Sequence, residues 1–120
     1  MKSAWITYKG KEIVYCDYSH LAGDELQQEV DEVDTGVCER PLHSVLGLVN
    51  VTGVLSGFRP FEILQKSMAR VKPYVRRTAV VGLGNSVVRK TMFDLVAQIG
   101  GQQAKAFETI EEAKEWLVAE

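Results

Sequence analysis

The chain has 120 residues, 46% of them hydrophobic and 25% charged, with a formal net charge of −2. This is globular rather than disordered composition, and its weak acidity excludes a general nucleic-acid binder. One domain over 1–120 is expected, large enough to withdraw roughly two thirds of the unfolded chain's surface from water. No apolar run approaches the ~20 residues that span a bilayer, and Met1-Lys2-Ser3-Ala4-Trp5 lacks a signal-peptide core, so a cytoplasmic protein is expected.

Taken in order, Trp5-Ile6-Thr7-Tyr8, Lys9-Gly10-Lys11 and Glu12-Ile13-Val14-Tyr15-Cys16 predict a β-hairpin. Its β-branched and aromatic residues suit strands, and Gly10 supplies the positive φ of a tight turn. Cys16, inside that apolar strand, reads as a small buried hydrophobe, and Cys38 lies beyond a helix end. Two cysteines without C-x-x-C spacing make no disulfide framework. A first helix follows, with Asp24 and Gln27 spaced as a capping box, Leu26, Val30 and Val33 at helical spacing, and Gly36 as its stop. The near-continuous apolar stretch 44–49, including Val45-Leu46-Gly47-Leu48-Val49, predicts a strand buried on both faces at the centre of a sheet.

A second helix is predicted to begin near Pro60, with Phe61, Leu64, Met68 and Val71 as its buried stripe, and to stop at Pro73. Thr78-Ala79-Val80-Val81 reads as the fourth strand and 86–99 as a third helix. Ala104-Lys105-Ala106-Phe107 is a short fifth strand. Thr109 and Glu112 then form a capping box for a last helix burying Ile110, Ala113 and Leu117. The order β-β-α-β-α-β-α-β-α predicts an α/β fold: one mixed, mostly parallel five-stranded sheet with an N-terminal hairpin and four helices.

Five stretches together resemble the SpoIIAA-like, or STAS-like, domain family: Tyr15-Cys16-Asp17-Tyr18-Ser19; Leu48-Val49-Asn50-Val51-Thr52-Gly53; Lys72-Pro73-Tyr74-Val75 running into Ala79-Val80-Val81-Gly82; Ala106-Phe107; and Glu111-Glu112-Ala113 with Trp116-Leu117. The likeness is greatest to the small stand-alone bacterial branch grouped with CRAL/TRIO-type carriers. It implies the STAS fold and, for anti-sigma-factor antagonists, a phosphorylatable serine in an Asp-Ser-Ser-Gly-like turn before the second helix. Here that turn reads Val54-Leu55-Ser56-Gly57, which keeps a candidate phosphorylation site at Ser56 but lacks the acidic residue and the first serine.

For catalysis the sequence offers little. His20 and His43 lie in separate loops, and Asp17 near His20 has no nucleophile beside it, so no catalytic or metal residues are assigned. Gly82-Leu83-Gly84-Asn85-Ser86-Val87, with Glu108 after the next strand, is similar to a dinucleotide fingerprint, but Val87 replaces its third glycine. A small nucleotide-binding enzyme is therefore kept only as the least favoured alternative.

Charge segregation is the other signal. Between Leu21 and Arg40 stand seven acids (Asp24, Glu25, Glu29, Asp31, Glu32, Asp34, Glu39) and one base. Between Arg59 and Lys90 stand eight bases (Arg59, Lys66, Arg70, Lys72, Arg76, Arg77, Arg89, Lys90) against Glu62 alone. Arg59, Lys66 and Arg70 share one face of the second helix, with Ile63 among them, where the core is expected to make no use of it.

The leading expectation is a non-catalytic STAS-like module that binds an apolar or anionic-headed small ligand or lipid, with peripheral membrane contact included. Thr52, Gly53, Ser56, Gly57 and Phe58 are the candidate ligand residues. Arg59, Ile63, Lys66 and Arg70 are the candidate anionic-surface residues, with Ile63 and Phe58 as apolar anchors. The alternative is a protein-interaction switch through Ser56. No cofactor and no nucleic acid is assigned; a protein partner and a homodimer both stay open.

Overall fold

The computed structural model describes residues 2–54, 58–85, 87, 90, 91, 93, 94 and 103–119. Strands β1 (Ala4–Tyr8) and β2 (Lys11–Asp17) pair antiparallel, with Ile6 opposite Ile13. Between them Lys9 and Gly10 both take positive φ, the turn geometry that matches the right-handed twist of the strands. Helix α1 (Gly23–Val37), strand β3 (Val45–Asn50), helix α2 (Phe58–Val71), strand β4 (Val75–Val81), strand β5 (Ala104–Phe107) and helix α3 (Ile110–Val118) follow.

The strands form one mixed sheet in sequential order, β1-β2-β3-β4-β5, with β2–β3, β3–β4 and β4–β5 parallel. The fold class is therefore α/β, with three helices among the described residues. The helix predicted over 86–99 falls largely outside those residues. β3 is the central strand and its side chains alternate between two cores. Val45 belongs to a cluster with residues of α1 and α2, while Leu46 and Leu48 belong to a cluster with Ala113 and Leu117 of α3. Leu48 is 0% exposed.

Local signals explain most element ends. At α3, Thr109 accepts a hydrogen bond from the Glu112 backbone N–H at 3.2 Å, so the second capping box forms as expected. The first does not. α1 begins at Gly23 with Ala22 as an N-cap that makes no side-chain bond. Asp24 therefore lies inside the first turn, where its charge faces the positive end of the helix dipole. α1 also runs through Gly36 to Val37. Its buried face is Leu26, Val30, Val33 and Val37, which extends the predicted stripe by one turn.

The start of β1 is tied to this helix by Glu29, whose carboxylate accepts from the backbone N–H groups of Lys2 (3.2 Å) and Ser3 (2.8 Å). Burial pushes the Glu29 carboxyl up, but bonds from the Ser3 side chain and these backbone donors outweigh it and hold the group below the usual carboxylate range.

Candidate functional site

Two places merit the name of site, and the sequence pointed to the first. At the carboxyl ends of β2, β3 and β4 three loops converge, where open α/β sheets commonly bind ligands. They are laced backbone to backbone: Tyr18 N–H donates to Asn50 O (3.1 Å), His20 N–H to Thr52 O (2.9 Å) and Val51 N–H to Val81 O (2.9 Å). The Asn50 side-chain oxygen accepts from both the N–H (3.0 Å) and the hydroxyl (2.7 Å) of Thr52. Asp17 likewise accepts from the N–H and hydroxyl of Ser19. The His20 imidazole lies against Gly53. The polar groups here are thus spent on holding the loops together.

Of the five residues assigned to ligand binding, the structure places Thr52 and Gly53 together on this edge, both exposed. Phe58, at the start of α2, is 86% exposed. Ser56 and Gly57 lie outside the described residues. His20 and His43 stand at opposite ends of β3 and do not converge. Among the described residues no cluster of His, Cys, Asp and Glu could hold a metal, and no helix is long and apolar enough to cross a membrane.

The basic face of α2 is not what its sequence suggests. Ile63 is 5% exposed and belongs to the core beneath α2, so it is not an apolar anchor. The buried row of this helix is Ile63, Ser67 and Val71 at i, i+4 and i+8, rotated from the expected stripe. Phe61, Leu64 and Met68 are half-buried. Arg59 pairs with Asp24 of α1 at 2.7 Å. Arg70 pairs with Asp34 of α1 at 2.7 Å and approaches Asp31 at 3.6 Å.

Two of the bases of α2, Arg59 and Arg70, are therefore paired with acids of α1 across the helix–helix contact. Farther along, Arg77 donates to the Trp116 carbonyl at 2.7 Å, neutralising the negative end of α3. Lys66 alone of the assigned surface bases is exposed without an ion partner among the described residues. Arg70→Ala is accordingly expected to cost about 1–3 kcal/mol, because it strips a buried carboxylate of its charged donor. Lys66→Ala should stay within about 0.5 kcal/mol of the parent in the same denaturant titration.

The second place is a cavity of about 100 Å³ between the sheet and the α1–α2 pair. Its floor is the face of β2, β3 and β4 bearing Val14, Gly47 and Thr78, which are paired in register across the three strands. Gly47 makes the depression. It sits mid-strand between the cavity-facing Val45 and Val49, and its missing side chain leaves space that a Cβ would enter, meeting only Val14 Cγ1, at 3.9 Å. Phe61, Leu64 and Met68 of α2 form the roof, and Phe93 lines the cavity as well. The three roof residues belong to the stripe expected to be buried; they are half-buried because the helix turns Ile63, Ser67 and Val71 inward instead.

The polar groups in the lining are few. Burial pushes the Cys16 thiol up to about 12, so it stays protonated and is no nucleophile. Burial likewise raises Tyr18 well above the usual phenol value. Asp34, 4% exposed, accepts the Ser67 hydroxyl at 2.8 Å and the Arg70 guanidinium at 2.7 and 3.1 Å. Burial nonetheless leaves its carboxyl above the usual aspartate value. An isolated glycine inside an apolar strand is the one sequence signal for this cavity, since such a glycine often marks a close approach of ligand or backbone. Comparison with protein-family models, curated proteins and solved structures finds no match to this chain.

Proposed function

We propose that this chain is a non-catalytic, STAS-like binding module whose ligand is a small apolar molecule held between the sheet and α2. The supporting observation is the apolar cavity over Gly47, built at the centre of the sheet where a packed core is the rule. The order of the strands and helices is the support for the STAS-like part of the reading. Size narrows the ligand. An apolar cavity of about 150 Å³ holds benzene, whereas drug-sized ligands need roughly 300–1,000 Å³. At about 100 Å³ the cavity is smaller than that benchmark, so one small ring or a short branched chain is its upper limit and an intact lipid is too large for it. The membrane and anionic-surface part of the reading keeps only the exposed Phe58 and Lys66, because Ile63 is buried and Arg59 and Arg70 are paired within the fold.

The test is a thermal-unfolding series with benzene, toluene, naphthalene and dodecanoate. At ten times its dissociation constant a cavity ligand adds roughly 1.4 kcal/mol to stability. Benzene and toluene should raise the midpoint by several degrees, and naphthalene and dodecanoate should not. Stabilisation by dodecanoate with none by benzene would replace this reading with a lipid-binding one.

A further inference from the structure

The cavity has a polarity of its own. Asp34 lies in its lining, whereas Arg70, the partner of that carboxylate, does not and is half exposed on the outer side of the helix pair. A molecule in the cavity therefore lies nearer the negative member of this ion pair than the positive one. The carboxylate also has acceptor capacity left. Each oxygen can accept about two hydrogen bonds. Oδ2 takes two from Arg70, while Oδ1 takes one, from Ser67, among the described residues. A carboxylate this deeply buried gains most from a further donor, and burial already outweighs its present partners.

Resting on the binding reading above, we infer that the ligand is a ring-sized apolar molecule bearing one neutral hydrogen-bond donor, a hydroxyl or amine, directed at Asp34. An anionic head is rejected, because it would sit beside a buried like charge with no base among the described lining residues to offset it. A full ammonium is disfavoured too, because stripping its water costs several kcal/mol in so apolar a space. This narrows the ligand class to phenol-like and aniline-like compounds and excludes carboxylates of the same size.

Wild-type protein titrated with benzene, phenol and benzoate at neutral pH, followed by NMR shifts of Leu64, Met68 and Val80 methyls, decides the matter. Phenol should bind about tenfold more tightly than benzene, the worth of one hydrogen bond to a charged acceptor. Benzoate should not shift these methyls. In Asp34→Asn the ratio of phenol to benzene affinity should fall to about threefold or less. Equal binding of phenol and benzene by the wild type, or benzoate binding as tightly as phenol, would overturn this inference while leaving the apolar site standing. Failure of all three to bind would overturn both. The wild-type series by itself separates these outcomes, even where Asp34→Asn does not fold.

Discussion

Leu48→Ala is expected to remove about 2–5 kcal/mol of folding stability, read as a lower denaturant midpoint with an unchanged slope. Leu48 is fully buried in the central strand, and across the ladder it faces Tyr15 on β2 and Ala79 on β4. Above it pack Ala113 and Leu117 of α3. Two of these neighbours are alanines, whose methyl groups have no rotamer that could swing into the space left behind. The hole would therefore persist, and the loss should fall in the upper part of the range. Against a total stability of roughly 5–15 kcal/mol for such a domain, one residue would account for a large share. A loss below about 0.5 kcal/mol would remove β3 from the centre of the structure.

Gly82→Ala should cost about 2–3 kcal/mol. Gly82 has φ of +96°, a conformation that charges an L side chain about 1–2 kcal/mol before any contact is considered. An added Cβ would also stand 2.5 Å from the Thr52 backbone nitrogen and overlap the Thr52 hydroxyl. Relief requires the β3 and β4 loops to part, which strains the Val51 N–H to Val81 carbonyl bond, worth about 1 kcal/mol. Because the obstacle is backbone, trimming Thr52 to glycine should restore only part of the loss. Stability within about 0.5 kcal/mol of wild type would mean that the two loops are not packed as described.

The residues differ in how plainly they declare their places. The hairpin, the central strand and the last helix were legible because strand alternation, an unbroken apolar run and the Thr109–Glu112 pair are local signals. α2 was legible as a helix but not in its rotation. Its buried row runs through Ser67, a polar residue that can be buried only because Asp34, 33 positions away, accepts its hydroxyl. Without that partner in view, Ile63 appears stranded among bases.

The same long-range blindness turns the charges of α1 and α2 into an apparent surface for a partner. Asp24 with Arg59 and Asp34 with Arg70 are pairs separated by 35 and 36 positions, and only the fold brings them together. A general habit of α/β sheets points to the loops at the strand ends as the binding site. Here their polar atoms close the loops on one another, and an apolar cavity lies under α2 instead. Gly47 is visible throughout as a glycine in an apolar strand, but its meaning depends on the roof above it.

The most direct test is a toluene titration of wild type, Gly47→Ala and Gly47→Val, read at the Leu64 and Met68 methyls. Gly47 has ordinary negative φ and clear space before it, so neither substitution should unfold the protein. Alanine should raise stability by about 0.4–1 kcal/mol, by restricting the unfolded chain, while weakening toluene binding. Valine should fill the floor and abolish it. Saturable binding by wild type that alanine weakens and the folded valine variant lacks is the expected result. Toluene binding of equal strength in all three proteins, or none in the wild type, would contradict a ligand site over Gly47.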